Sequence, residues 1–584
     1  MKAVLVCLLT LLALQGSFAQ STDNVHALNL APTHIPQSPD AASLGQYGSH
    51  PVSNYTGTPQ IQIPLHTLQG RTLSWPIGLS YHASGLKVEQ IASSVGAGWS
   101  LQGVGSISRQ IRHLTDFGIT GMTNGLVSGN HQLPVFVNTG NCNIGLEDGS
   151  ISPSSVADLE LKYLKNEYDM EPDHFYYNFG AYSGSFVFDR NKQALFNTPF
   201  FTSMVHPVMD SDGWTFITPD GFTYTFGTQA DNCVEWTEYD LNLYGNPYSS
   251  PRNQATAWYL KEVESPDGER IVFEYQSYAL NYTGVDYNSR TYSPNPNNYS
   301  TYSSNTISQN TVAIQGRLLS KVRLINNYRE ERIELSYTSG RNDVSGAMKL
   351  DRVDVFHKDL VHNADQLVKS FVLSYHNESN RLWLAAVQEL GSNGSSGDRL
   401  PPHSFSYQQR SAFPNHRSYE QDYWGYYNGK AIPPGATSGH VPSKAYFQGQ
   451  EYLFANGSDR SVDVHKMMYG LLSRIDYPTG GFTLFDYEPH TFNNAAYAGS
   501  QQGGGVRIKR TSTYDHAGSS QAMVKRYHYT VEQEGSPVSS GKLLWRPTHV
   551  MPVDLPDPSS NCAWGCATAP YLQFSSASLV SGGN

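Results

Sequence analysis

Apolar and polar residues alternate with a period of two over many short stretches, and a weak repeat runs down the middle of the chain. Five times an opening of the form Leu-x-x-Val/Ile is followed, 15 to 25 residues later, by an apolar residue, any residue, and Tyr. The openings are Leu260-Lys-Glu-Val263, Leu319-Ser-Lys-Val322, Leu350-Asp-Arg-Val353, Leu384-Ala-Ala-Val387 and Leu472-Ser-Arg-Ile475. The endings close on Tyr275, Tyr337, Tyr375, Tyr407 and Tyr487. Two units are tight, turning at Pro266-Asp267-Gly268 and at Pro478-Thr479-Gly480-Gly481. Gly268 and Gly480 supply the positive φ that such turns need. On the return strands Ile271, Phe273 and Tyr275, and likewise Phe482 and Leu484, share one apolar face, so each unit predicts a β-hairpin. Residues 214–226, turning at Pro219-Asp220-Gly221, predict a further one. A lone hairpin is marginal in water, so these must stack edge to edge to bury their faces. The expected fold is all-β, an extended and coiled antiparallel sheet of hairpin repeats rather than several compact sandwiches.

Elsewhere the pattern is less regular. Residues 60–65 and 75–81 alternate cleanly and read as strands, whereas 156–167 carries a poor helical stripe and is the best helix candidate. A Tyr/Asn/Ser-rich stretch at 276–310 and a Gly/Ser-rich one at 390–400 read as loop insertions. The organisation that follows is a leader at 1–19, a polar extended segment at 20–37 and an N-terminal β region at 38–200. Hairpin repeats over 201–490, further strands over 491–551 and an irregular tail over 552–584 complete it.

The leader reading rests on Met1-Lys2, an apolar run over 3–14, and small residues at Ser17 and Ala19 just before Gln20. That run is too short to span a bilayer comfortably, and no later stretch approaches about 18 apolar residues. Export by a Sec signal peptide is expected, to the periplasm, the cell surface or the medium, with no transmembrane anchor once the signal is removed. In such a compartment disulfides persist, and Cys142, Cys233, Cys562 and Cys566 remain after Cys7 leaves with the signal. Four cysteines allow three pairings, and 562–566 spans a small loop. No His lies close to that pair in sequence, which disfavours zinc.

Composition removes whole classes. Only 15% of residues are charged, against about 25% in ordinary soluble proteins, while there are 38 Tyr, 51 Gly and 32 Pro. Many Tyr with many turn formers suits an all-β chain with exposed faces. A net charge of -11 leaves no basic footprint for nucleic acid or anionic lipid. Catalytic motifs are equally sparse. There is no His-Glu-x-x-His, P-loop or Gly-x-Ser-x-Gly, and Gly435-Ala-Thr437-Ser-Gly439 has that last spacing with Thr at its centre. Gly96 and Gly98 lack the third glycine of a dinucleotide fingerprint. Asp169, Glu171 and Asp173 gather beside His174, which reads as solvated acid ahead of a strand, with a calcium site as the alternative. No catalytic residue, metal site or cofactor is assigned. The one positive binding hint is Tyr423-Trp424-Gly425-Tyr426-Tyr427. Such rings either stack on a sugar or hold a protein partner, or pack on one another inside a β shell, and the internal reading is preferred.

Several segments resemble the N-terminal region of bacterial Rhs/YD-repeat proteins, specifically the exported kind typical of Bacteroidetes. They are Ser38-Pro39-Asp40 with Leu44, Tyr47 and Gly48, running on to Val52, Tyr55, Gly57 and Pro59; Leu79-Ser-Tyr81-His-Ala-Ser-Gly85-Leu-Lys-Val88; and Val95-Gly96-Ala-Gly98-Trp99-Ser100-Leu101. Further ones are Glu171-Pro172-Asp173 through Phe179 with Tyr182-Ser-Gly184, Asp422-Tyr-Trp424-Gly425-Tyr-Tyr-Asn428-Gly429, and Gly504-Gly505-Val-Arg507-Ile508-Lys509. The resemblance implies a β-sheet coil wrapping into a partial Rhs/YD-type shell, which in relatives encloses a C-terminal cargo, often a toxin. Some relatives carry an aspartate self-cleavage site. This chain has neither the Arg-Tyr-Tyr-x-Pro core nor the Asp-Pro-x-Gly-Leu cleavage motif, and Asp557-Pro558-Ser559 is only a partial look-alike. No cleavage residue is carried over.

The expectation is an exported, non-enzymatic β-repeat protein that encloses or presents a protein partner or a downstream cargo segment. A module binding a cell-surface glycan or a protein through Tyr423, Trp424, Tyr426 and Tyr427 is the alternative, and a secreted hydrolase with dispersed carboxylates is a third. An open sheet edge recruits other chains, so the chain is expected to dimerise, aggregate or await a partner segment.

Overall fold

The computed structural model describes residues 50–53, 55–111, 116–117, 136–138, 144–146, 172–189, 193–197, 201–239, 252–284, 287–292, 306–308, 311–325, 329–359, 364–392, 399–431, 441–447, 450–453, 457–493, 500–533, 536–541, 550–556 and 568–575. All belong to the compact unit His50–Asn584. The leader, the 20–37 segment, the 38–48 motif, the helix candidate at 156–167, the 435–439 loop, Asp169, Glu171, Cys142, Cys562 and Cys566 lie outside the described residues.

Strands dominate. Among the described residues the only helical elements are two three-residue 3-10 turns, Arg410–Ala412 and Lys466–Met468. The main sheet has 20 strands, every pairing antiparallel, and its spine is a run of consecutive hairpins. The predicted ones are Trp214–Ile217 with Thr223–Phe226, Arg252–Glu264 with Arg270–Thr283, and Thr311–Ile325 with Arg329–Thr338. Then follow Lys349–Asp359 with Ala364–Asn377, Leu382–Leu390 with His403–Tyr407, and Leu472–Asp476 with Phe482–Asn493. A seventh, Ser500–Tyr514 with Met523–Arg526, was not legible in the repeat.

The register explains the Leu-x-x-Val opening. A strand places residues two apart on one face, so a three-residue spacing between two buried side chains needs an inserted residue. Where the return strand of one hairpin meets the opening strand of the next, Thr225 and Phe226 oppose Glu262 and Leu260, skipping Lys261. The same step recurs, skipping Ser320, Asp351, Ala385, Ser473 and Lys509. Each opening is therefore a β-bulge, and Leu260 with Val263, Leu319 with Val322, and their successors all face the core.

That core is closed from within the chain. Gln60–Gln69, Ser74–His82 and Trp99–Gln102 form a three-stranded antiparallel sheet whose alternate residues Ile61, Ile63, Leu65, Trp75, Ile77, Leu79 and Tyr81 are buried. They share one continuous hydrophobic cluster with the hairpin residues. Polar ties pin the two layers. The Glu269 carboxylate accepts from the backbone N–H groups of Arg71, Thr72 and Leu73 at 2.8–2.9 Å. Glu331 accepts from the rings of His66 and His357 at 2.7 and 3.0 Å.

The N-terminal β region joins the same sheet. Ser106–Gln110 has both edges taken, one by 257–259 and the other by His174–Phe179, which continues to Tyr182–Phe188 and Ala194–Phe196. Two expectations are corrected. Residues 276–310 contain strand rather than only loop: Arg270–Thr283 runs into them, and Tyr287–Tyr292 and Thr306–Ser308 follow. The tail is not wholly irregular, because Val550–Pro556 and Thr568–Ser575 are strands that form a four-stranded sheet with those two. The two stretches meet each other far apart in sequence, Tyr287–Tyr292 pairing with Thr568–Ser575.

Candidate functional site

The repeat tyrosines form one construction. Each closing tyrosine donates its hydroxyl to the backbone carbonyl of its own opening leucine: Tyr275 to Leu260 at 2.7 Å, Tyr337 to Leu319 at 2.9 Å, and Tyr375 to Leu350 at 2.5 Å. Tyr407 reaches Leu384 at 2.7 Å and Tyr487 reaches Leu472 at 2.9 Å. The same tyrosine also stands opposite the opening residue of the next hairpin, at its bulge. A bulge interrupts the ladder and leaves backbone groups needing partners, and the phenol supplies one. Burial pushes all five phenols well above the usual tyrosine range, so they stay protonated donors.

Two contacts join this ladder to the covering layer. Trp99 donates Nε1–H to the Tyr407 hydroxyl at 2.8 Å, and the Leu472 N–H donates to the Tyr81 hydroxyl at 3.0 Å. Sequence reasoning missed one rung: Tyr529 donates to Ile508 at 2.7 Å. Its opening is Ile508-Lys-Arg-Thr511 and its closing Tyr527-His-Tyr529, so an opening that admits Ile at the first position and Thr at the last would have found it. Gly268 and Gly480 sit in their turns at φ of 82° and 90° with open space where a Cβ would point. Backbone conformation alone selects glycine there.

The aromatic segment is not an exposed platform. Tyr426 and Tyr427 are buried, Tyr423 and Trp424 half-buried, which favours the internal reading of these four residues over the binding alternative. Asp422 organises the loop, accepting at Oδ1 from the N–H groups of Trp424 and Tyr426 at 2.8 and 3.0 Å. Its backbone carbonyl receives the buried Arg460 guanidinium at 2.7 Å. Burial pushes the Asp422 carboxyl up to about 6. A Cβ on Gly85 would fall 2.6 Å from the Tyr426 ring, and one on Gly503 would fall 2.6 Å from Trp424. Val88 N–H donates to Gly425 O and Val506 N–H to Ser84 O, both at 2.9 Å. Three of the segments that carry the family resemblance, 79–88, 422–429 and 504–509, thus meet at one junction. Tyr427 packs on Tyr469 and Phe413, and Tyr423 donates to Lys444 O at 2.6 Å.

Two more expectations change. Cys233, a disulfide candidate, is a buried free thiol at the foot of Val234–Tyr239, pushed up to about 12 chiefly by burial. Asp173 is no solvated acid: it is 0% exposed, and its Oδ2 lies 3.7 Å from Arg109, which is bidentate to Asp210 at 2.9 and 3.0 Å. Asp116 and Asp173 exchange backbone-to-carboxylate bonds at 3.0 and 3.2 Å. His174 is half-buried as the first residue of its strand. Among the described residues no group of His, Cys, Asp or Glu is arranged to hold a metal ion.

No family model matches the chain, and no curated protein matches it. Solved structures do. The N-terminal domain of effector protein SpvB from Salmonella typhimurium strain LT2 is similar over 57% of this chain and 98% of that one, at 14% identity and a TM-score of 0.27. TcdB2–TccC3 is similar over 79% of this chain and 20% of its own, at 12% identity and a TM-score of 0.33. The Tc holotoxin pore of Photorhabdus luminescens is similar over 77% and 19%, at 13% identity and a TM-score of 0.32. The chain spans about a fifth of those two larger chains.

Proposed function

We propose that this chain is a non-enzymatic β-repeat scaffold, exported as Rhs-like proteins are, that encloses or presents a protein segment by extending its own sheet. The observation that carries the reading is the progression of the ladder. Every return strand from Thr223–Phe226 onward offers its outer edge to the opening strand of the next hairpin. The last return strand, Met523–Arg526, pairs with 510–513, and its other edge carries no strand among the described residues. Val524 on it is 45% exposed. A free strand edge templates β-augmentation, main-chain bonds giving affinity and alternate side chains giving selectivity.

The experiment is light scattering of the secreted full chain across a concentration series, alone and with a synthetic hairpin carrying a Leu-x-x-Val opening. Self-association or capture of the hairpin, lost in Val524→Lys at unchanged Tm, is the expected result. A monodisperse monomer that captures nothing at any concentration overturns the reading. Finding the chain in the cytoplasm with residues 1–19 still attached overturns its exported part.

A further inference from the structure

A cleft of about 780 Å3 opens where four stretches converge: residues 72–76, residues 100–105, the turn at 180–181, and the hairpin turn at 220–222. Five aromatic residues contribute to its lining, among small and uncharged polar ones. Phe179 and Tyr224 lie at the bottom with ring centroids 4.9 Å apart, and Tyr182 stands edge-on to Tyr224 at 5.9 Å. Phe222, half-buried, also lines the cleft.

Tyr224 differs from the tyrosines of the ladder. It is only 8% exposed, yet among the described residues its hydroxyl has no hydrogen-bond partner, whereas every ladder hydroxyl donates to a carbonyl. The Tyr224 oxygen is not one of the sealed polar atoms of the core, so this hydroxyl is presented to the solvent of the cleft. Gly180 explains what keeps this one open: a Cβ there would stand 3.2 Å from the Tyr224 oxygen. Burial, with Tyr182 and Asp220 nearby, pushes the phenol up to about 12, so it is a protonated donor at neutral pH.

The rim selects the ligand class. Its polar side chains include Ser100, Gln102 and Asn178, and among the described residues Asp220, whose Oδ1 accepts from the Thr218 hydroxyl, is the only charged residue of the lining. With no Lys, Arg or His there, an anion finds no counter-charge. A peptide strand is disfavoured along 103–105 because the Gly103 carbonyl already accepts from Trp75 Nε1–H and the Gly105 carbonyl from Leu260 N–H, both at 2.9 Å. We infer that this cleft is a binding site for a neutral oligosaccharide, whose C–H faces stack on Tyr182 and Phe222 while its hydroxyls meet Asp220, the neutral rim and the Tyr224 phenol. Ring stacking with a few convergent polar groups is what a pocket for such a polyol requires. The site lies apart from the aromatic 423–427 segment and does not depend on the scaffold reading.

The test titrates the full chain with cello-, malto-, manno- and chito-hexaose, followed by calorimetry and by tyrosine and tryptophan fluorescence. The expected result is saturable binding of at least one of the four, insensitive to added salt because the ligand is neutral. Tyr182→Ala and Asp220→Asn should each weaken it by about tenfold or more, and Tyr224→Phe by a smaller factor. Asp220→Asn lies on an exposed turn, so an unchanged Tm in that variant separates lost binding from lost fold. Failure of all four sugars at millimolar concentration overturns the inference. So does binding that survives both Tyr182→Ala and Asp220→Asn, or saturable binding only of a sulfated oligosaccharide or an extended cationic peptide.

Discussion

The ladder tyrosines and the tyrosines of the 422–429 loop are the same residue put to two uses. A ladder tyrosine works through its hydroxyl, bonding a carbonyl 15 to 25 residues back in the chain. In the loop, Tyr426 works through its ring, filling space left by glycines at 85 and 505 and positioned by a buried carboxylate. The first arrangement is repeated and nearly modular, each rung touching its neighbours. The second is single and draws on three distant segments at once. Stability should therefore be spread thinly over the ladder and concentrated at the junction.

The sharpest way to break that contrast is Asp422→Ala. It orphans two buried N–H groups and leaves a cavity, so chemical denaturation should show a loss of about 3 kcal/mol or more. A loss under about 1 kcal/mol would place the junction on the level of a single rung. Next is Tyr407→Phe, the rung whose hydroxyl both donates to Leu384 and accepts from Trp99. It should cost about 2 kcal/mol, because two buried partners lose it.

The pH dependence of Asp422 is comparable in size. Its folded value of about 6 lies above the ordinary aspartate value near 4, so its contribution is fully present below about pH 4 and is lost as pH rises through about 6. His403 and His490, lowered to about 4 by burial, act in the opposite direction, losing stability as pH falls through that window. The comparison that isolates Asp422 is with Asp422→Asn. Across pH 4 to 6 the wild type should lose on the order of 2 kcal/mol relative to the variant. A flat difference would show an Asp422 carboxyl titrating as it does in the unfolded chain.

Smallest are the rungs whose hydroxyl serves a single carbonyl. Tyr337→Phe and Tyr487→Phe should each cost about 1 kcal/mol, and the double variant should lose their sum because the sites share no partner. Marked non-additivity would mean the ladder acts as one cooperative body rather than as separate rungs.

Much of this ladder was legible because its signals are local. The alternation of Ile271, Phe273 and Tyr275, and the glycines of the tight turns, lie within single hairpins. The meaning of the three-residue spacing was not, since a bulge exists only relative to a neighbouring strand. The Ile508–Tyr529 rung stayed hidden because Ile508 and Thr511 stand where the other openings place Leu and Val or Ile. The burial of Tyr426 and the pairing of Arg109 with Asp210 left no trace in the sequence, their partners being about 340 and 101 residues away. The strands at 287–292 and 568–575 were read as loop and tail because each pairs with the other across about 280 residues.

Sequence alone therefore determined the all-β class, the hairpin unit and the positions of its turns. These follow from periodicity and backbone conformation, which act over a few residues. Tertiary structure alone decided that the apolar face is covered by residues 60–102, that Cys233 stays a buried thiol, and that Tyr426 is core while Tyr224 opens to a cleft. Tyrosine chemistry is the same at every position, and whether a hydroxyl meets a carbonyl, a glycine gap or solvent is set by what the rest of the chain brings beside it.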